Sequence, residues 1–306
     1  MDILFATDGS PSARTAEAFL ARLPHARRGT VHVVTVVPPP GVMMASLQPT
    51  GSFALVQQSE LLWKTHHEHG TRVVAEAGER LRAAGLKVET DVLDGDIGPR
   101  LLDFASSRAV GMIAVGSRGE GAFRAFFLGS VARRMLAYAD VSVLVVRDRE
   151  DCPPEEAARR LKAKSKLNVV VAVDGSKGSE AALDMLVLPG EKSYALGVAA
   201  CAEPLFILPP GMDPVEFAKN YGYDHSEAER IVSDAVQLLE PLCDKVVGVA
   251  RLSKPCDLFF ALASEHDGDL IVLGATRQGF VERFLIGSVS YEVATSAPCA
   301  VLVVRP

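Results

Sequence analysis

The sequence predicts an α/β chain of two similar doubly wound domains, and three observations predict it. First, the chain repeats itself in order. ILFATDGSPSARTAEAFL (Ile3 to Leu20) returns 166 residues later as VVVAVDGSKGSEAALDML (Val169 to Leu186). GSRGEGAFRAFFLGSVA (Gly116 to Ala132) returns 158 residues later as GATRQGFVERFLIGSVS (Gly274 to Ser290), and VSVLVVR (Val141 to Arg147) returns as CAVLVVR (Cys299 to Arg305). Three matches in one order mark two homologous halves, and the unequal offsets are what loop changes leave behind. Second, short apolar runs rich in β-branched residues alternate with helical patterns. Runs without polar alternation suit strands buried on both faces, and the alternation implies right-handed crossovers in a mostly parallel sheet. Third, 306 residues at 48% hydrophobic and 23% charged leave room for two domains of about 150 residues each.

In the first half a strand at Met1 to Thr7 precedes a helix near Ser12 to Arg22. A second strand, Val31 to Val37, stops at three prolines, which cannot donate to a sheet ladder. A long helix from about Leu55 to Ala84 leads to a strand at Lys87 to Leu93. A helix near Gly98 to Ser107, a strand at Met112 to Val115, a helix near Val131 to Ala137 and a strand at Val141 to Val146 complete the half. The second half follows the same plan. The expected domains are residues 1–147 and 167–306. The intervening 148–166 is a charged linker, with a short surface helix after Pro154.

The formal net charge of −6 argues against a general nucleic-acid binder, which would show a basic face. No basic segment followed by an apolar core opens the chain, and no apolar run reaches the length of a membrane span. The five cysteines (Cys152, Cys201, Cys243, Cys256, Cys299) are odd in number and form no C-x-x-C pair. A reduced, cytoplasmic protein with no membrane partner is the expectation.

Two motifs fall at strand carboxyl ends, where doubly wound sheets place ligands. Asp8-Gly9-Ser10 closes the first strand and Gly116 closes the fourth. Gly116, Gly119, Gly129 and Ser130 follow a G-x2-G-x9-G-S spacing. Glycine is entropically costly, so the cluster needs a backbone reason: a tight turn, a left-handed residue, or close approach of a ligand. Gly129-Ser130 opens the next helix, whose free N–H groups and dipole favour phosphate. Ser130 also suits an N-cap. The plain alternative is a turn and a capped helix with no ligand. The spacing matches neither a Walker P-loop, G-x4-G-K-[ST], nor a G-x-G-x-x-G dinucleotide fingerprint.

These residues, FATDGS (Phe5 to Ser10), AVDGS (Ala172 to Ser176), the long glycine motif and VLVVR near the end of each half, resemble the universal stress protein family in its tandem two-domain form. The resemblance implies a five-stranded, adenine nucleotide α-hydrolase-like sheet in each half. It also implies that the last strands pair as an intrachain pseudo-dimer, with homodimers possible between chains. Many members bind ATP, with or without Mg2+, while another branch lacks the glycine motif and does not. Carried over, Asp8 holds the ribose or adenine end with Thr7 beside it, and Val36 lines the adenine. Gly116 and Gly119 loop over the phosphates, and Gly129, Ser130 and Val131 bind them. Ala132 departs from the Ser or Thr of many ATP-binding members, a missing hydroxyl contact worth about 1 kcal/mol.

The second half keeps Asp174, Gly274, Gly287 and Ser288 but has Arg277 where the first has Gly119, and LSKPCD offers no counterpart of Gly95. If the glycine position needs positive φ or close approach, Arg277 costs strain or fills space; its side chain could instead reach phosphate. Nucleotide is therefore expected mainly in the first half. The reading is a nucleotide sensor or regulator of stress response. A slow ATPase or phosphoryl-transfer enzyme and a ligand-free scaffold are the alternatives, and no catalytic residue is assigned. Any protein partner is unidentified.

Other features weigh less. Arg118 and Arg124 could attract phosphate. His66, His67 and His69 follow Trp63 on the long helix; His66 and His69 can share a face, but two imidazoles make a poor metal site, and a solvated face is the simpler reading. The apolar loops Pro38 to Val56 and Glu203 to Phe217 suit a lid or a partner surface.

Overall fold

The computed structural model describes residues 1–39, 53–119, 128–147, 153–188, 192–203, 225–275 and 286–306. Arg124 and Arg277, most of both apolar loops, most of the FRAFFLG and VERFLIG segments, the start of the linker and Cys152 lie outside these residues. The chain divides into two compact units, Met1–Val146 with Cys152–Lys162, and Arg147–Asp151 with Ala163–Pro306. The helix that follows Pro153 thus belongs mainly to the first unit.

The first unit contains β1 (Ile3–Ala6), α1 (Pro11–Leu20), β2 (Thr30–Val37), α2 (Phe53–Ala83), β3 (Lys87–Asp94), α3 (Ile97–Ser107), β4 (Met112–Gly116), α4 (Ser130–Tyr138), β5 (Ser142–Val146) and α5 (Pro154–Ala163). A single 3₁₀ turn at Pro24–Arg27, which the sequence pattern does not announce, links α1 to β2. The five strands lie in the order β3-β2-β1-β4-β5, and every neighbouring pair is parallel. The order doubles back at β1, so the carboxyl ends of β1 and β4 part there, at the switch point of the sheet.

Burial follows composition. β1, β4 and β5 are covered on both faces, whereas β3 at the edge is mostly half-buried or exposed, with Val88 buried. Ile3, Leu4, Phe5, Phe19, Leu20, Met112 and Ile113 are fully buried, each contributing about 2 kcal/mol by removal from water. α1 starts where it does because Pro11 suits a first helical turn and Ser10 caps it, its Oγ accepting from the Ala13 N–H at 3.2 Å.

The second unit repeats the plan with β6 (Leu167–Ala172), α6 (Lys177–Leu186), β7 (Tyr194–Glu203), α7 (Ser226–Leu239), β8 (Cys243–Leu252), α8 (Pro255–Glu265), β9 (Leu270–Gly274), α9 (Ser288–Ser296) and β10 (Ala300–Val304). Its order is β10-β9-β6-β7-β8, again parallel. Ser176 caps α6 as Ser10 caps α1, accepting from the Ser179 N–H at 3.2 Å. Cys201, Cys243, Cys256 and Cys299 are buried and not disulfide-bonded. Among the described residues no helix is long and apolar enough to cross a membrane.

Candidate functional site

The Asp-Gly-Ser turn at the end of β1 is built from its own side chains. Gly9 sits at φ +78°, in the left-handed region that glycine enters without strain. Asp8 Oδ1 accepts from the Ser10 N–H at 3.0 Å, and Thr7 Oγ1 accepts from the Gly9 N–H at 3.2 Å. The same turn recurs in the second unit, with Gly175 at φ +73° and Asp174 Oδ1 accepting from the Ser176 N–H at 3.0 Å. Turn formation alone therefore explains one carboxylate oxygen of each aspartate. The other oxygen of Asp8, Oδ2, faces Gly119: a Cβ at Gly119 would lie 2.6 Å from it.

The strand-end glycines divide into two kinds. At Gly116 a Cβ would press on Ser12 and on the Ala13 nitrogen, at 3.1 to 3.2 Å. At Gly274 it would overlap the Gly178 backbone. Both positions are bare so that the first helix of each unit can cross the strand end. Gly119 is bare for a different reason. Its φ is not positive; the need is close approach to Asp8. Of the two reasons weighed from sequence, close approach is the one that applies.

The β4–α4 loop closes back on itself: Gly129 donates to the Ser117 carbonyl at 2.8 Å, and Ser117 donates to the Val146 carbonyl at 2.8 Å. Gly129, not Ser130, is the N-cap of α4, with φ −61°, ψ 157° and no side-chain cap bond. The expectation of a Ser130 cap is corrected. Ser130 is the first helical residue, one step too late for its Oγ to cap. The N–H groups of Ser130, Val131 and Ala132 accordingly have no acceptor within the helix.

Thr7, Asp8, Val36, Gly116, Arg118, Gly119, Gly129, Ser130 and Val131 all line one cavity of about 480 Å3. Four separate stretches of chain meet there. Ala132, weighed above for its missing hydroxyl, lines it too; sequence reasoning missed the rest of the wall, Val34, Thr35, Ile97 and Leu101 among others. Val34 was within reach, because it stands opposite Ala6 in the strand register. Ile97 and Leu101 are one helical turn apart on α3 and face the cavity together. The result is a cleft with apolar side chains at one end and the uncapped first turn of α4 with Arg118 at the other.

The corresponding cavity of the second unit measures about 140 Å3. Asp174 and Gly274 line it; Gly287 and Ser288 do not, and of the first turn of α9 Val289 and Ser290 reach it. Gly287 caps α9 and Ser288 opens it. The register equates Ala6 with Ala172 and the two strand ends with each other. On that footing Phe259 replaces Leu101, Ser179 replaces Ala13 and Ser290 replaces Ala132. The two hydroxyls are spoken for within the unit: Ser179 Oγ donates to the Ser176 carbonyl and Ser290 Oγ to the Gly274 carbonyl, each at 2.9 Å. Burial pushes the Asp174 carboxyl up, but bonds from Ser176 and Ser179 outweigh it and leave the group below its ordinary value.

On the long helix α2, His66 and His69 are exposed and His69 Nδ1 lies 3.0 Å from Arg72. Among the described residues no three His, Cys, Asp or Glu gather as a metal site.

The profile described as "Universal stress protein family" matches residues 1–147 and 167–305. The chain belongs to the universal stress protein family. A universal stress protein of Mycobacterium tuberculosis is 29% identical over 322 residues, covering 100% of this chain and 95% of that one. Another, from Mycolicibacterium smegmatis, is 28% identical over 240 residues, covering 78% and 75%. The crystal structure of a universal stress protein from Archaeoglobus fulgidus superposes with a TM-score of 0.64 at 19% identity, covering 99% of this chain and 98% of its own. A functionally unknown protein of Pseudomonas aeruginosa superposes at 0.58 and 13% identity, covering 100% and 92%. The fold, two doubly wound α/β domains, is common to these two structures and to this chain.

Proposed function

We propose that the first unit binds an adenine nucleotide, ATP foremost, and that the chain is a nucleotide-responsive regulator whose second unit holds nucleotide weakly or not at all. One observation carries the reading: four stretches distant in sequence converge on a cleft that is apolar at one end and has the uncapped first turn of α4 at the other. That polarity suits a base joined to phosphates. Val34, Val36, Ile97 and Leu101 flank the base. Asp8, held by the Ser10 N–H, offers its second oxygen to ribose hydroxyls. The backbone at Gly119 and the first turn of α4 take the phosphates, with the Ser130 hydroxyl and Arg118 beside them. Mg2+ travels on the phosphates.

The second unit lacks the room, and its Ser179 and Ser290 hydroxyls are already bonded within the unit. Its cavity is under a third of the volume, and Phe259 projects where Leu101 stands in the first. Among the described residues, the lining of the larger cavity has one carboxylate, Asp8, and one guanidinium, Arg118. That set suits holding a nucleotide better than transferring its phosphate, which relies on several placed charges. Equilibrium dialysis of nucleotide-stripped chain against ATP, with wild type and Asp8→Ala in parallel, tests the assignment. The variant should bind at least about tenfold more weakly, the loss of a charged hydrogen-bond acceptor. Equal affinity removes Asp8 from the site.

A further inference from the structure

A second and larger cavity, of about 920 Å3, opens on the other side of α1 in the first unit. It shares no lining residue with the first; Asp8 faces one and Gly9 the other. α1, the end of α2 and the linker helix α5 form its walls. Arg14, Arg22, Arg27 and Lys162 line it, and Arg80 makes a fifth cation against two carboxylates, Glu17 and Glu155. The local excess is positive on a chain whose net charge is −6.

The carboxylates do not cancel that excess. Glu17 is taken by Arg80 in a two-point pair, Nε to Oε2 at 2.7 Å and Nη2 to Oε1 at 3.1 Å. Among the described residues Arg14 and Arg27 have no carboxylate partner. Arg22 reaches the Lys162 carbonyl near the end of α5 through one nitrogen, while its Nε is buried with no hydrogen-bond partner. A buried guanidinium nitrogen without an acceptor is costly. Between the cations the wall is apolar: Ala18, Ala21, Leu81 and Ala158.

We propose that this cavity binds an organic phosphate, a doubly charged group on a compact apolar body. The phosphate oxygens draw on the guanidinium groups of Arg14, Arg22 and Arg27 and on Lys162, which line the cavity. Guanidinium groups match phosphate geometry in pairs, and the alanine and leucine wall takes the body. Because α5 supplies one wall, the ligand also fastens the linker helix to the first unit.

The test is calorimetric titration of the full chain with phenyl phosphate, beside benzyl alcohol as the uncharged control. Four proteins are compared: wild type, Arg22→Gln, the double variant Arg14→Gln/Arg27→Gln, and Gly119→Arg, which fills the other cavity. Wild type and Gly119→Arg should bind one equivalent. Arg22→Gln and the double variant should each lose at least about tenfold, as charged hydrogen bonds go, and benzyl alcohol should not bind. Arg14 and Arg27 are exposed, so the double variant keeps the test sound should Arg22→Gln loosen α5. The proposal is overturned if phenyl phosphate does not saturate. It is equally overturned if binding survives the double variant or is lost in Gly119→Arg, which would put the phosphate in the first cavity.

Discussion

Gly119→Arg copies into the first unit the residue that the second carries at the matching position. A Cβ at Gly119 would lie 2.6 Å from Asp8 Oδ2, several tenths of an ångström inside ordinary carbon–oxygen contact. The carboxylate cannot swing away at no cost, since its Oδ1 is fixed by the Ser10 N–H at 3.0 Å. Overpacking of this kind costs about 1–3 kcal/mol, or roughly 5- to 150-fold in affinity if the loop shifts out of register with the phosphates. Gly119→Ala introduces the Cβ alone and should show the lower end of that range. Gly119→Arg adds a cation beside Asp8 and competes with the ribose, so it should show the upper end. The assay is ATP titration followed by calorimetry, with thermal melting to establish that both variants fold. If Gly119→Arg folds and binds ATP within about twofold of wild type, the argument from close approach is refuted.

Other outcomes follow from the same geometry. Ser10→Ala and Ser176→Ala each remove a cap and should cost about 1 kcal/mol, read from urea melts; no loss in either would deny the capping role. Arg80→Ala should destabilise more than Glu17→Gln in the same assay. The Glu17 side chain is 6% exposed and that of Arg80 41%, so removing the arginine strands a buried charge, whereas the arginine left alone turns to water; the reverse order contradicts this. The Asp2 carboxyl is held below its ordinary value of 3.8, chiefly by the Thr30 N–H, with burial opposing and His32 and the amino terminus helping. A depressed carboxyl adds stability above its unfolded pKa and loses it as pH falls through the lower folded value. Asp2→Asn should therefore flatten the acid limb of stability against pH below about 4, and an unchanged limb would show that the Thr30 bond contributes nothing.

Much of this fold can be read from local signals. Apolar runs and Gly or Pro punctuation place the first unit's strands and helices within two residues of their positions, and Asp-Gly-Ser announces both the turn and the cap. Asp8, Gly116, Gly119, Gly129 and Ser130 line the same cleft, because the glycine motif itself is a strand end followed by a helix start. What escaped depends on approach between elements distant in sequence. Ile97 and Leu101 look like ordinary helix core until the register sets α3 beside β2. Phe259 looks equivalent to Leu101 until the two cavities are compared. Gly116 and Gly119 read alike in a pattern, yet one is bare for helix packing and the other for Asp8. The basic cavity behind α1 could not be seen at all, since Arg14, Arg27 and Lys162 meet only after α5 has packed.

The measurement closest to the central claim is the ATP stoichiometry of the nucleotide-stripped wild-type chain, by calorimetric titration in the presence of Mg2+. The account predicts one equivalent per chain, held by the unit that contains Asp8 and Gly119. Two equivalents would mean that Phe259 and Arg277 leave the second unit competent, and none would mean that the first cleft is not a nucleotide site.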